Sequence, residues 1–169
     1  MLSQKLTDEL NEQIKFEFFS SHLYLAAAAY AYELDLDGFA NFFIVQAEEE
    51  KFHAMKFFSF INEMGARVKM NAFETPKMEY DDLVDLFEYT SAHEKVVTDR
   101  IYKLMDIATE EREHATMSFL KWFIDEQVEE MASFKAMTQR IIRSKNDPNI
   151  IFGMDDELAT RVFTPPTNA

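Results

Sequence analysis

Six positions carry polar side chains in a repeated spacing: Glu17, Glu50 and His53, then Glu94, Gln127 and Glu130 at the same intervals 77 residues on. Glu17 and Glu50 are 33 residues apart, as are Glu94 and Gln127, and in each half a further polar residue follows three positions later. A step of three places two side chains on one face of a helix. Four carboxylates meeting in an apolar interior are very costly if ionised and unpaired. Desolvation and mutual repulsion would keep some of them protonated, and two divalent cations would neutralise all four. Oxygen donors mixed with one imidazole suit Fe(II), Mn(II) or Zn(II) better than a thiolate-seeking metal. Glu50, beside His53, is expected to bridge the pair. Because the second half offers Gln-x-x-Glu where the first has Glu-x-x-His, the first half is expected to hold metal more strongly. Two Fe(II) held with open coordination positions could each pass one electron to dioxygen.

A plainer reading stands beside this one. A single buried Glu in a helical protein is usually paired with Lys or Arg, and Glu-x-x-His arises by chance on charged helices. An acidic core that is only structural, or that serves protein interaction, requires buried basic partners for Glu17 and Glu94. No basic residue occupies a matching inner position in the sequence. The duplicated register of the whole set favours metal.

The elements that must position these groups follow from composition. With 3 Gly and 4 Pro in 169 residues, all-β folds and glycine-rich phosphate loops lack the turn residues they need. The absence of cysteine excludes disulfides, thiolate zinc sites, iron–sulfur clusters and cysteine nucleophiles. A net charge of −14 repels nucleic acid and anionic membranes and concentrates cations. The N-terminus, Met1-Leu2-Ser3-Gln4-Lys5, has no signal-like apolar stretch, and no apolar run is long enough to span a bilayer. A cytoplasmic protein is expected.

The few breakers leave four long helix-permissive segments, about 5–34, 39–64, 81–108 and 112–145, and a short fifth over about 155–161. Pro148 and Gly153 read as brackets of a break before it, and the tail with Pro165-Pro166 cannot be helical. Leu6, Leu10, Phe16, Phe19, Leu23 and Ala27 recur at three- and four-residue steps, as do Phe39, Phe42, Phe43, Ala47, Ala54, Phe57 and Phe58. Asp81 or Asp82 suits the N-cap of the third segment. The expected fold is all-α, a four-helix bundle, with residues 1–145 as the bundle and 146–169 as a short fifth helix and tail of the same domain. Segments one and two, and three and four, are joined by a few residues and should form antiparallel hairpins. The 15 residues from Ala66 to Tyr80 reach ~50 Å when extended, more than the roughly 39 Å of a 26-residue helix. A single long crossover between helices two and three, which makes them parallel, fits that length. A slack loop between antiparallel helices meets the same count.

At these residues the chain resembles the non-haem bacterial and archaeal ferritins. The resemblance runs from Leu10-Asn11-Glu12-Gln13 through Ser20-Ser21-His22-Leu23-Tyr24, Glu49-Glu50-Lys51-Phe52-His53-Ala54 and His93-Glu94. Its most specific block is Phe119-Leu120-Lys121-Trp122-Phe123-Ile124-Asp125-Glu126-Gln127-Val128-Glu129-Glu130. It implies a ferritin-like bundle with a short fifth C-terminal helix, iron storage, and oxidation of Fe(II) by dioxygen or peroxide at a two-iron centre. Glu17, Glu50 and His53 would form the first iron position. Glu50, Glu94 and Glu130 would form the second, with Gln127 nearby. Glu49, Glu126, Glu129 and Glu130 match a third iron position, and Tyr24 falls where the family keeps a tyrosine beside the centre, as a possible electron donor. A hollow cage of 24 subunits holding ferric mineral is implied as well. Rubrerythrin-like oxidoreductases would need the cysteines this chain lacks. Mini-ferritins of the DNA-protecting type build their site between subunits and lack the fifth helix.

The remaining candidates have simpler readings. His22, His93 and His114 lack partners at ligand spacing and suit solvated or capping roles, and Trp122 suits packing better than electron relay. Glu110, Glu111 and Glu113 form a charged corner that suits solvation more than an iron entry pore. Lys51 occupies the position at which bacterioferritins keep a haem-ligating Met, so no haem is expected.

Overall fold

The computed structural model describes residues 2–166. Residues 1 and 167–169, the outermost parts of the two regions expected above, lie outside the described residues. Five helices follow in order: α1 (Gln4–Glu33), α2 (Asp37–Glu63), α3 (Leu83–Glu110), α4 (His114–Ser144) and α5 (Pro148–Leu158). Among the described residues there is no strand.

Local chemistry sets the ends. Ser3 caps α1 by accepting from the Leu6 amide at 3.0 Å, and Asp82 caps α3 by accepting from Asp85 at 2.9 Å, each satisfying a donor that the first turn leaves orphaned. Helices α1, α2 and α3 all stop in the same way. A residue with positive φ (Asp35, Gly65, Arg112) follows the last turn, and the next amide reaches back five residues: Leu36 to Ala31, Ala66 to Ile61, Glu113 to Ala108. Those paired bonds cover carbonyls that the helix end would otherwise leave bare. Gly65 adopts its φ of 72° without the Cβ penalty that Asp35 and Arg112 accept.

The connection between α2 and α3 lies along α1. Its Arg67 carbonyl and Lys69 amide are held by Asn11, Asn71 reaches Glu12, Phe73 packs on Phe19 and His22, and Tyr80 packs on Tyr30. The strap thus travels the length of α1, from its start to its end. Phe87, one turn into α3, packs edge-on or tilted against Phe39, Phe42 and Phe43 of the first turns of α2. Helices α2 and α3 are therefore parallel, and the crossover is the long one. Phe57 and Phe60 late in α2 meet Phe119 early in α4, so α4 runs antiparallel to α2 and hence to α3.

Two apolar clusters fill the bundle. One contains Leu23, Tyr24, Phe39, Phe42, Phe43, Phe87, Phe134 and Ile141. The other contains Leu6, Leu10, Ile14, Phe57, Ile61, Ile101, Leu120 and Phe123. Each such side chain contributes about 1.5–3 kcal/mol on burial, and these two blocks stabilise the fold. Between them lies a polar layer.

The fifth helix departs from the sequence reading. It spans Pro148–Leu158 rather than about 155–161, because Pro148 starts it and Gly153 lies inside it. Proline has no N–H to lose in a first turn and its φ is already helical. Asp147 supplies the cap, accepting from Asn149 at 2.9 Å. Gly38 lies inside the first turn of α2, and Asp35, at positive φ, makes the bend before it. A Cβ on Gly38 would stand 1.8 Å from the Asp155 carbonyl oxygen, so the glycine lets α5 dock backbone to backbone.

Candidate metal centre

Each of the four long helices turns polar side chains toward the layer between the apolar blocks. On α1 these are Gln13, Glu17, Ser20 and Tyr24. On α2 they are Gln46, Glu50 and His53, on α3 there is Glu94, and on α4 they are Gln127 and Glu130. All ten are buried. Steps of three and four keep each set on one helical face.

Glu17, Glu50 and His53 offer ligand atoms that all lie within 4.8 Å of one another. Nδ1 of His53 stands 3.5 Å from Oε2 of Glu50. The imidazole is boxed by Trp122 and Phe123 at centroid distances of 5.5 and 5.6 Å. Gln13 donates to Glu17 Oε1 at 2.8 Å, whereas Glu17 Oε2 and Glu50 Oε2 are buried without a hydrogen-bond partner. An anionic oxygen with no donor is expensive in such a place, and a cation between the two would satisfy both.

Glu94 and Glu130 face the same layer but are drawn to protein donors, so they do not gather with Glu50 as closely. Glu94 accepts from the Tyr24 phenol and from the Gln127 amide, the latter at 3.3 Å. Gln127 also reaches Thr98 at 3.1 Å, and Glu130 accepts from Gln46 at 3.0 Å. Outside them, Glu49 and Glu126 are half-buried and Glu129 is exposed. Arg161, just past α5, approaches Glu49 at 3.4 Å.

Charge and burial act together here. Burial, and then the neighbouring Glu50, raise the Glu17 carboxyl well above its ordinary range. Burial and the charge of Glu94 do the same to Glu50 and Glu130. Burial pushes Glu94 up to about 7, against the pull of its bonds from Tyr24 and Gln127. The Tyr24 phenol is raised by burial and by Glu94, so it remains a proton donor at neutral pH. Among the described residues no Lys or Arg pairs with Glu17, Glu50, Glu94 or Glu130. Proton uptake or bound cations are the two ways this layer can be neutralised.

Four supporting groups escape the sequence reading. Gln13 and Gln46 each stand four residues before a layer carboxylate, a spacing that could have flagged them. Arg100 holds Gln13 in turn, donating to its Oε1 at 3.0 Å. His93 is buried rather than solvated or capping. It shares a 2.8 Å hydrogen bond with Ser20 and stacks on Phe16, and burial lowers its pKa to about 4. His22, His114 and Lys51 are exposed. Trp122 is half-buried beneath the Lys56 ammonium, 4.3 Å from its ring. At the charged corner, Glu110 pairs with Lys5, Glu111 accepts from Ser3, and Glu113 caps α4 by accepting from Thr116.

A ferritin-like domain model matches residues 7–144, which takes in nearly all of the four long helices and every carboxylate of the layer. The chain belongs to the ferritin family. A bacterial non-heme ferritin of Staphylococcus aureus (strain MRSA252) is 42% identical over 163 residues, covering 96% of this chain and 98% of that one. A bacterial non-heme ferritin of Staphylococcus saprophyticus is also 42% identical over 163 residues, with the same coverage. Among solved structures, an Archaeoglobus fulgidus ferritin engineered into a closed form superposes with a TM-score of 0.95 at 41% identity, covering 97% of this chain and 100% of that one. An open-pore ferritin from the same archaeon gives 0.95 at 40% identity, over 96% and 100%. This ferritin-family chain therefore has the expected fold, a ferritin-like bundle with one crossover. No helix among the described residues is long and apolar enough to cross a membrane.

Proposed function

We propose that this chain stores iron and is a ferroxidase, oxidising Fe(II) to Fe(III) with dioxygen or hydrogen peroxide at a two-iron centre within one subunit. Glu17, Glu50 and His53 receive the first Fe(II). Glu50, Glu94 and Glu130 receive the second, Gln127 steadies Glu94, and Glu50 bridges. The observation that carries this reading is the gathering of three ligand atoms within 4.8 Å around two carboxylate oxygens that no protein group satisfies. Four negative charges from Glu17, Glu50, Glu94 and Glu130 balance two divalent ions. Two Fe(II) supply two electrons; dioxygen accepts them with two protons to leave as hydrogen peroxide, or hydrogen peroxide accepts them with two protons to leave as two water molecules. Tyr24, bonded to Glu94, sits where a further electron could be supplied. Ferric product passes outward by the third position at Glu49, Glu126, Glu129 and Glu130 and is deposited as mineral inside a cage of 24 copies. Strongly acidic composition supports cation traffic rather than nucleic-acid or membrane partners, and a cytoplasmic location fits the same reading.

Stopped-flow oxidation of Fe(II) tests the centre. Glu50→Ala and His53→Ala should each abolish the rapid phase while far-ultraviolet circular dichroism stays helical. Rapid oxidation that survives both changes overturns the assignment. Sedimentation tests the assembly, since 24 copies of a 19.8 kDa chain weigh roughly 475 kDa.

A further inference from the structure

Arg161 reaches the outer carboxylates from outside the four-helix bundle. Its backbone is pinned by Asn41 of α2, whose amide donates to the Arg161 carbonyl at 2.9 Å and to the Leu158 carbonyl at 3.0 Å. Its guanidinium lies over the Phe42 ring, 4.7 Å from the centroid. These contacts leave Nη2 at 3.4 Å from Glu49 Oε2. Both side chains are mostly covered, at 29% and 24% exposure. The guanidinium is thus placed in advance, and ordering it at Glu49 costs little further entropy.

From this geometry we propose that Arg161 is a built-in counter-cation at Glu49, which a third metal ion must displace before it can occupy the outer carboxylate cluster. This rests on reading Glu49, Glu126, Glu129 and Glu130 as an iron position. A divalent ion bound to Glu49 meets a like charge at close range, or else must push the guanidinium back across Phe42. Either cost weakens the outer position relative to the inner pair. Iron in transit would then pause there only briefly. Arg161 touches no reacting atom in this scheme and is a positioning residue.

The test is calorimetric titration of the intact, metal-free assembly with Zn(II), which binds without redox chemistry. The wild-type protein should show a tight pair of ions per subunit and a weaker third. Arg161→Gln should tighten the third by about fivefold, the size of a partly exposed ion pair, and leave the tight pair unchanged. Arg161→Lys keeps the charge and should restore affinity to within about twofold of wild type. A loss of tail docking alone would move both variants together. Glu49→Gln should remove the third ion, which checks the underlying reading separately. If Glu49→Gln removes the third ion but Arg161→Gln leaves its affinity unchanged, the counter-cation role is wrong and the third position stands. If Glu49→Gln changes nothing, both fall.

Discussion

Between the guanidinium of Arg100 and the carboxylate of Glu17 stands one side chain, Gln13, bonded to both at 3.0 and 2.8 Å. An amide can present either its oxygen or its NH2 to a neighbour, and at Gln13 the choice is made by Arg100. Because Arg100 only donates, it claims the Gln13 oxygen and turns the NH2 toward Glu17. Arg100 is itself fixed, over the Phe16 ring at 4.3 Å and onto the Glu12 carbonyl at 3.0 Å. A positive charge on one side of the bundle therefore steadies a buried carboxylate it never touches.

Removing either member of that relay should weaken cation binding at the Glu17 position. Gln13→Leu and Arg100→Leu should each lower Zn(II) affinity of the tight pair by about tenfold, the low end for outer partners of a metal ligand. Because both act through one route, the double variant should cost little more than either single one. Titration of the three variants supplies the measurement, and losses that simply add would show that no relay exists.

How much of this was legible without coordinates depends on which residues carry period and which do not. The 33-residue spacing and the 77-residue offset place Glu17, Glu50, His53, Glu94, Gln127 and Glu130 on helix faces that do converge, since the three-residue step survives any error in helix ends. The crossover is legible only in part: the length of the strap permits it but equally permits a slack loop, and the contacts that lay residues 67–80 along α1 are what decide. Arg100 is not, because it lies six residues after Glu94 and no helical step links the two. His93 misleads for a related reason: its neighbour Glu94 points into the layer, and the hydroxyl that makes burial of the imidazole tolerable comes from Ser20, on another helix. The fifth helix is misplaced because proline and glycine read as breakers in a sequence, although proline begins helices well and α5 tolerates Gly153 inside it.

The protonation of the layer gives a pH dependence whose sign can be fixed. Glu94 is raised from 4.5 to about 7, so the native protein holds this proton more tightly than the unfolded chain does. Its favourable contribution is complete below pH 4.5 and is lost as pH rises through 7. Glu17, Glu50 and Glu130 are raised by burial and by one another and act in the same direction. His93, lowered to about 4 from 6.5, acts oppositely, but only within that interval, so the carboxylates alone operate from pH 6.5 to 8. Metal-free protein should therefore melt at lower temperature as pH rises from 6.5 to 8. Glu94→Gln cannot ionise, and relative to it the wild type should lose on the order of 3 kcal/mol between pH 4.5 and 8. Saturating Zn(II) should reverse the order of the two proteins at pH 8, because the ion needs the carboxylate. A difference between them that stays flat with pH would mean that Glu94 is already ionised in the metal-free fold.

The docking of α5 makes a prediction in which helix propensity and packing oppose each other. Gly38 sits in the first turn of α2, where alanine would favour the helix by about 1 kcal/mol. The added Cβ, however, would meet the backbone carbonyl of Asp155, and a backbone cannot turn aside as a flexible side chain can. Asp155 also caps α2 from outside, its carboxylate accepting from the Phe39 amide at 2.9 Å, while the helix's own Leu36 offers no cap. Gly38→Ala should therefore destabilise the protein by about 1–3 kcal/mol despite its better propensity, and α5 should lift from α2. Asp155→Ala should cost about 1 kcal/mol through the cap alone and leave α5 in place. Amide exchange over residues 148–161 separates the two effects, since only Gly38→Ala should accelerate it. Undocking would also carry Arg161 away from Glu49, so Gly38→Ala should tighten a third Zn(II) in the same direction as Arg161→Gln. An alanine variant as stable as wild type, with slow exchange throughout α5, would show that the fifth helix does not rest on α2 in the way described.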